Sequence, residues 1–374
     1  MKSPLRIAAG IYTLLVVAII PLAAAFDLVI FDATHTRQQI DAVISQLANK
    51  RAVFIGEDHE RYDQHLNQLE IIRRLHMEAP GHWTIGVEYF QRSFQPSLDA
   101  YIAGTISERE FLIKTEYFER WGYDYRLYRP IFEFAREEHI PIVALNAERE
   151  LTDEIEKVGL DGLSPADRAR LPQQIQEPDN DYRGRLRKAF EEHPGAASAD
   201  FERFVQVQSV WDETMAQTVA GYLSAHPDKA MVVLAGAGHI VFGSGIPIRV
   251  QRRLPDVRIA ILLPVDQPED DSDGADYILV SSNVTLPPSG KMGITMNRSG
   301  VVSIKTVSAD SASAKAGLRA GDRILSIDGQ AIHSFGDVQL ALLGKEPGQH
   351  LSLRAERQEG PGRLEITTDL ILQK

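Results

Sequence analysis

The chain of 374 residues contains no cysteine. Disulfide frameworks, zinc-thiolate sites and lipid-modified cysteines are therefore excluded. Positive charge is also in short supply, since 40 Lys and Arg face 52 Asp and Glu and leave a net charge of −12. A nucleic-acid partner needs a basic face that neutralises phosphates, and this balance argues against one. Hydrophobic residues at 44% and charged residues at 25% are ordinary for a globular protein, and the length suffices for two domains with sizeable cores.

The first 25 residues lack acids and carry Lys2 and Arg6. The apolar run "IAAGIYTLLVVAII" follows, Pro21 breaks it, and three alanines at 23–25 offer a small-residue cleavage site. This is the pattern of a cleavable export signal over 1–25, with a mature chain beginning near Phe26 in a periplasm. The competing reading is an uncleaved N-terminal membrane helix, which would place the domains on the same periplasmic side. A cysteine-free chain suits a compartment where stray thiols would be oxidised.

Residues 26–267 alternate between short apolar runs and amphipathic stretches. "AVFIG", "TIGVE", "PIVALN", "MVVLAG" and "VRIAILL" are rich in Val, Ile and Leu without polar alternation, as strands buried on both faces are. "DQHLNQLEIIRRLHMEA", "RPIFEFAREEH" and the long segment 200–226 have helical spacing between them. The pattern predicts an α/β fold: a three-layer α/β/α core around a mostly parallel sheet. Residues 268–277 are acidic and contain Pro268 and Gly274. They lack the spacing of a calcium loop and read as a solvated linker. Residues 278–374 then carry "YILVSS", "VVSIKTV", "RILSIDG" and "HLSLRAERQ" with one short helix near 336–344, the pattern of a separate small β-rich domain.

Two of the apolar runs end alike. "VFIGEDH" and "VVLAGAGH" each pass through a glycine into a histidine three positions on, as Gly56–His59 and Gly236–His239. In a parallel α/β sheet, ligands gather outside the carboxyl ends of the strands. Glu57, His59, Glu88, Asn146 and His239 all fall at such ends. A lone strand-end histidine often only caps the next helix, but two of them beside two carboxylates point to a shared site. Paired imidazoles and carboxylates can hold a divalent cation with Glu57 as base for bound water, can act as acid and base, or can hold haem. His65, just inside the next helix, is a further candidate. The stretch 117–130 adds Tyr123, Tyr125 and Tyr128, of which Tyr128 is a possible iron ligand, and Arg120, Arg126 and Arg129, which suit acidic groups of a ligand. Asp212 and Glu213 read as a solvated helix face, with room for one of them to turn toward the site.

In order along the chain, "GEDH", "GVEYFQRSFQPSLDAYIAG", "WGYDYRLYRPIFEFA", "PIVALNAE", "VWDETMA" and "VVLAGAGHIVFGSGIPIRV" resemble the motifs of ChaN-type haem-binding proteins, within the grouping that includes Tiki, TraB and erythromycin-esterase-like proteins. The resemblance covers about residues 40–265. It implies an α/β/α fold and haem binding in iron uptake, with haem held at a homodimer contact. Its Tiki-like branch implies instead a metal-dependent peptidase using His59, His239 and Glu57; if the protein is an enzyme, Glu88, placed by its strand end, is a further catalytic carboxylate. The C-terminal run "ASAKAGLRAGDRILSIDGQAI" resembles a bacterial PDZ domain, and "KMGI" (291–294) resembles its carboxylate-binding loop. That resemblance implies that a protein C-terminus adds as a strand along "ITM", contacting Met292, Gly293 and Ile294, with Val338 and Leu342 on the opposite helix. The linker is expected to present this domain outward, its groove independent of the crevice. Three functions follow: an exported haem carrier with a partner-recruiting PDZ domain, which the overall resemblance favours; a metal-dependent hydrolase or peptidase; and a scaffold whose crevice is vestigial.

Overall fold

The computed structural model describes residues 28–192, 200–268, 270, 272–280, 283–297 and 301–374. The expected export signal lies outside the described residues. Among the described residues, no helix is long and apolar enough to cross a membrane.

Eight strands make the large sheet: β1 (Val29–Asp32), β2 (Arg37–Gln38), β3 (Ala52–Glu57), β4 (Trp83–Gln91), β5 (Ile142–Asn146), β6 (Ala230–Gly236), β7 (Ile259–Val265) and β8 (Tyr277–Val280). Their spatial order is β2-β1-β8-β7-β3-β6-β4-β5. The ladders from β8 across to β5 are all parallel, and β1 joins β8 antiparallel. Every residue of β3 and β6 is buried, which is why neither strand alternates in sequence. Val53, Ile55, Val232 and Leu234 face one apolar cluster with Ile72 and Phe132 of the helices Tyr62–Glu78 and Arg129–Glu137. Their neighbours Phe54, Val233 and Ala235 face a second cluster with Met215 and Val250 of the helices Phe201–Ala225 and Ile246–Arg253. Helices thus cover both faces, and the expected α/β/α architecture is present.

The C-terminal module has its own core around Ile324, Ile327, Leu351 and Leu353. β9 (Ile294–Met296) pairs with β10 (Ile304–Val307). β11 (Arg323–Ile327), β12 (Gln330–Ala331), β13 (His350–Glu359) and β14 (Gly362–Ile371) form a four-stranded sheet in the order β12-β11-β13-β14.

Two expectations change here. "YILV" does not open the C-terminal module; as β8 it bridges β7 and β1 and completes the large sheet. The acidic stretch before it is a connection inside the first domain, tied down by Asp276 accepting from the Ile261 N–H at 2.8 Å and by Asp273 O accepting from the Phe242 N–H at 3.2 Å. Nor is the small module held apart. Leu340 of the helix Phe335–Leu342 joins the first domain's core cluster, with Phe335 and Leu343 packed against it. The Gly336 N–H donates to Glu119 at 2.8 Å, and Arg126 donates to the Pro287 carbonyl at 2.8 Å. The physical reason is that this helix is apolar on two sides: Val338 turns into its own module while Leu340 turns toward the other.

Candidate functional site

β3, β6 and β4 lie side by side and parallel, so their carboxyl ends open at one edge of the sheet. Glu57 is the last residue of β3 and sits in register with Gly236, the last of β6. That glycine is required by space: a Cβ there would stand 3.0 Å from Cε1 and Nε2 of His59. Glu88 lies where the β4–β5 register shifts, between Val87 and Gln91. Such an irregularity re-aims a side chain, and Glu88 Oε2 accepts the Gly236 N–H at 2.7 Å while Oε1 lies 3.5 Å from His239 Nε2. His59, Gly236, Glu88 and His239 therefore form one continuous cluster.

Each histidine is held from behind by a buried carboxylate. His59 Nδ1 bonds Glu57 Oε1 at 2.8 Å, and His239 Nδ1 bonds Asp212 Oδ1 at 2.7 Å. A hydrogen bond at Nδ1 fixes the ring and leaves Nε2 as the working atom. His59 Nε2 makes no hydrogen bond among the described residues, and the His59 side chain is 22% exposed. Glu57 is the hub beneath. Its Oε2 accepts from Gln68 Nε2 at 2.8 Å and from the Tyr89 hydroxyl, with His65 Nδ1 at 3.5 Å. Burial alone would raise the Glu57 carboxyl, but the imidazoles of His65 and His59 hold it far below the ordinary carboxylate range. Burial pushes the His59 imidazole down, and the Glu57 hydrogen bond with the charges of Glu88 and Glu57 outweighs it, so the net shift is upward. For His239 the same opposition, burial against Glu88 and Asp212, ends at about 9.

The sequence-derived candidates divide. His59, His239, Glu57 and Glu88 meet, and Asn146 is drawn in by donating from Nδ2 to the Glu88 carbonyl at 3.2 Å. His65 and Tyr128 do not open on the crevice. His65 Nε2 lies 3.3 Å from the His59 carbonyl oxygen, and the Tyr128 hydroxyl donates to the same oxygen at 3.2 Å while accepting from Trp121 Nε1 at 3.2 Å. Both side chains are buried, so they brace the turn that carries His59. Arg120, Arg126 and Arg129 are each engaged by acidic partners. Asp212 and Glu213 are not a solvated face; both are fully buried. Asp212 holds His239, whereas Glu213 pairs with Arg249, Arg252 and Arg253. The mouth of the site is aromatic. Trp121 and Tyr123 have ring centroids 4.9 Å from His59, and Trp211 is 6.3 Å from His239. Beside Glu88 and Trp121 opens a cavity of about 160 Å³. Among the described residues, no three His, Asp or Glu side chains are arranged as a ready metal cage.

In the C-terminal module, Met292, Gly293, Ile294 and Leu342 line a groove. Val338 does not: it is fully buried in that module's core, and Gln339 takes the groove position one residue on.

Residues 43–250 match the family described as haem-binding uptake, Tiki superfamily, ChaN. The chain belongs to the ChaN family. Residues 290–368 match the PDZ domain, so this ChaN-type protein carries a PDZ module. No curated protein matches the chain. Among solved structures, cofacial heme binding to ChaN of Campylobacter jejuni is similar at 19% identity, over 68% of this chain and 97% of that one, with a TM-score of 0.56, a likeness of fold. The HtrA-type protease AlgW with decapeptide aligns over 23% of this chain and 30% of that one at 21% identity and a TM-score of 0.20. The HtrA3 PDZ domain bound to a phage-derived ligand aligns over 22% of this chain and 88% of that one at 22% identity and a TM-score of 0.18.

The raised His239 makes a stability prediction for the ligand-free ChaN-type domain. Its folded value of about 9 lies above the ordinary 6.5. Protonated His239 therefore adds stability that is complete below about pH 6.5 and is lost as pH rises through 9, on the order of 3 kcal/mol in all. Urea unfolding at pH 6 and pH 9.5 should show this loss, and His239→Gln should flatten it. An equal pH slope in the variant would show that the Asp212–His239–Glu88 charges are not coupled to folding.

Proposed function

We propose that the protein is an exported haem carrier whose PDZ module recruits a protein C-terminus. The observation that carries the reading is the pair of carboxylate-backed imidazoles, His59 and His239, gathered around Glu88 and Gly236 and bordered by Trp121, Tyr123 and Trp211. This donor set fits haem: His59, the more exposed of the two, would offer its Nε2 to the iron with His239 beside it, and the aromatic rings offer flat apolar faces for the macrocycle. Bound haem would supply the cargo iron and its ring. Tyr128 is not available as a ligand, because its hydroxyl is buried between Trp121 and the His59 carbonyl. The 160 Å³ cavity is lined by Glu88, Trp121, Asn146 and Trp211 and by neither histidine, so it would not itself enclose the ligand. A homodimer, which the resemblance implies, would supply the remaining cover for the ligand. Export is supported by the N-terminal leader pattern, and a periplasmic location follows from it.

A second reading is favoured by the same two histidine–carboxylate pairs. Glu57–His59 and Asp212–His239 flank Glu88 in the manner of an acid–base site, and with a divalent ion at the Nε2 atoms the centre would serve a hydrolase or peptidase. One purified sample separates the two. Addition of hemin should produce a saturable Soret band, with no stoichiometric divalent metal by elemental analysis. Stoichiometric metal that His59→Ala removes, with no Soret band on hemin addition, would transfer the assignment to the hydrolase.

A further inference from the structure

A groove of about 390 Å³ runs between β9 and the helix Phe335–Leu342, and its outer wall comes from the other domain. Phe118, Gly122, Tyr123 and Asp124 close it. Tyr123 is therefore shared. It borders this groove, and its ring centroid also stands 4.9 Å from His59 and 5.5 Å from Trp121. Trp121 in turn meets His59 edge-on at 4.9 Å. Between the two aromatics, Gly122 is exposed and has φ +85°, a backbone setting that lets Trp121 and Tyr123 both reach His59.

The groove is chemically suited to one occupant. Gly293 has φ +74°, and the N–H groups of Met292 and Gly293 donate to no acceptor among the described residues. With the exposed Lys291 beside them, they suit a free carboxylate. The chain's own tail does not supply it. Gln373 is bonded both ways to the Lys291 backbone, at 2.7 and 3.0 Å, which pins the tail beside the loop and outside the groove.

We propose that the groove and the histidine crevice are one coupled unit: a peptide C-terminus from another chain, bound along β9, bears on Tyr123 and resets the aromatic wall of His59. The peptide's last side chains lie between Leu342 and Tyr123, so the bound and free states differ in their contacts with Tyr123, which is the condition for coupling. Coupling of this kind is reciprocal: whatever occupies the crevice and presses on Tyr123 changes the peptide affinity by the same factor. The inference does not rest on what the crevice binds, because its reporter is the His59 ring of the ligand-free protein.

The test uses the full chain and a decapeptide ending in valine, with a free carboxylate or as its amide. Binding is read by fluorescence anisotropy of the labelled peptide. The crevice is read by the His59 ring resonances, with those of the exposed His226 as reference. The acid should bind at least about tenfold more tightly than the amide and should move the His59 signal while leaving His226 in place. Tyr123→Ala, which removes part of the groove wall, should weaken peptide binding and, at saturating peptide, leave the His59 signal unmoved. Leu342→Glu should remove binding and response together. Failure of the acid to bind, or equal binding of the amide, would overturn the assigned occupant. Binding without a His59 response, or a response that survives in Tyr123→Ala, would overturn the coupling.

Discussion

Glu57→Ala is expected to cost about 3–5 kcal/mol of folding stability, the range for removing one partner from a buried charged network. The carboxylate is fully shielded, and it satisfies His59, Gln68 and Tyr89 at once with His65 close by. Alanine would leave a buried phenol and two histidines without their acceptor. It would also open a hole between β3 and the helix Tyr62–Glu78, beside the turn that carries His59. Denaturant unfolding of the variant against the parent chain reads the effect. A loss below about 1 kcal/mol, the worth of an ordinary hydrogen bond, would show that Glu57 belongs to the ligand site and not to the frame beneath it.

His59→Ala should act mainly on the ligand. Its ring is partly exposed, and its loss leaves one buried Glu57 oxygen without its partner, which should cost about 1–3 kcal/mol, less than Glu57→Ala. Hemin affinity should fall by at least about tenfold to a hundredfold, the scale on which such oriented ligands act. A hemin titration followed at the Soret band gives the number. Unchanged affinity, with the fold intact by circular dichroism, would remove His59 from the site.

Much of the framework could be read from residue order. The repeated glycine-to-histidine spacing located two strand ends, and the continuous apolar runs of β3 and β6 correctly implied helices on both faces. What escaped was set by phase and contact. Asp212 and Glu213 are adjacent on one helix, and a sequence cannot say which turns to His239 and which to the arginines of the helix Ile246–Arg253. His65 and Tyr128 have the chemistry of ligands, yet both are spent on one backbone oxygen of His59. "YILV" is equally apolar on either side of an acidic break, and only the open edges of β7 and β1 assign it to the large sheet. One residue of helical phase likewise separates the buried Val338 from the groove-lining Gln339. The packing of Leu340 onto the first domain's core, which brings the two domains together, has no signature beyond an apolar residue in a short helix.

The central claim is that the crevice between the ends of β3 and β6 holds haem. Its most direct test is an equilibrium hemin titration of the parent chain beside Tyr128→Phe and the double variant His59→Ala/His239→Ala. A saturable Soret band in the parent chain and in Tyr128→Phe, absent from the double variant, is the predicted result. Full-affinity hemin binding by the double variant, or a band lost in Tyr128→Phe alone, would contradict it.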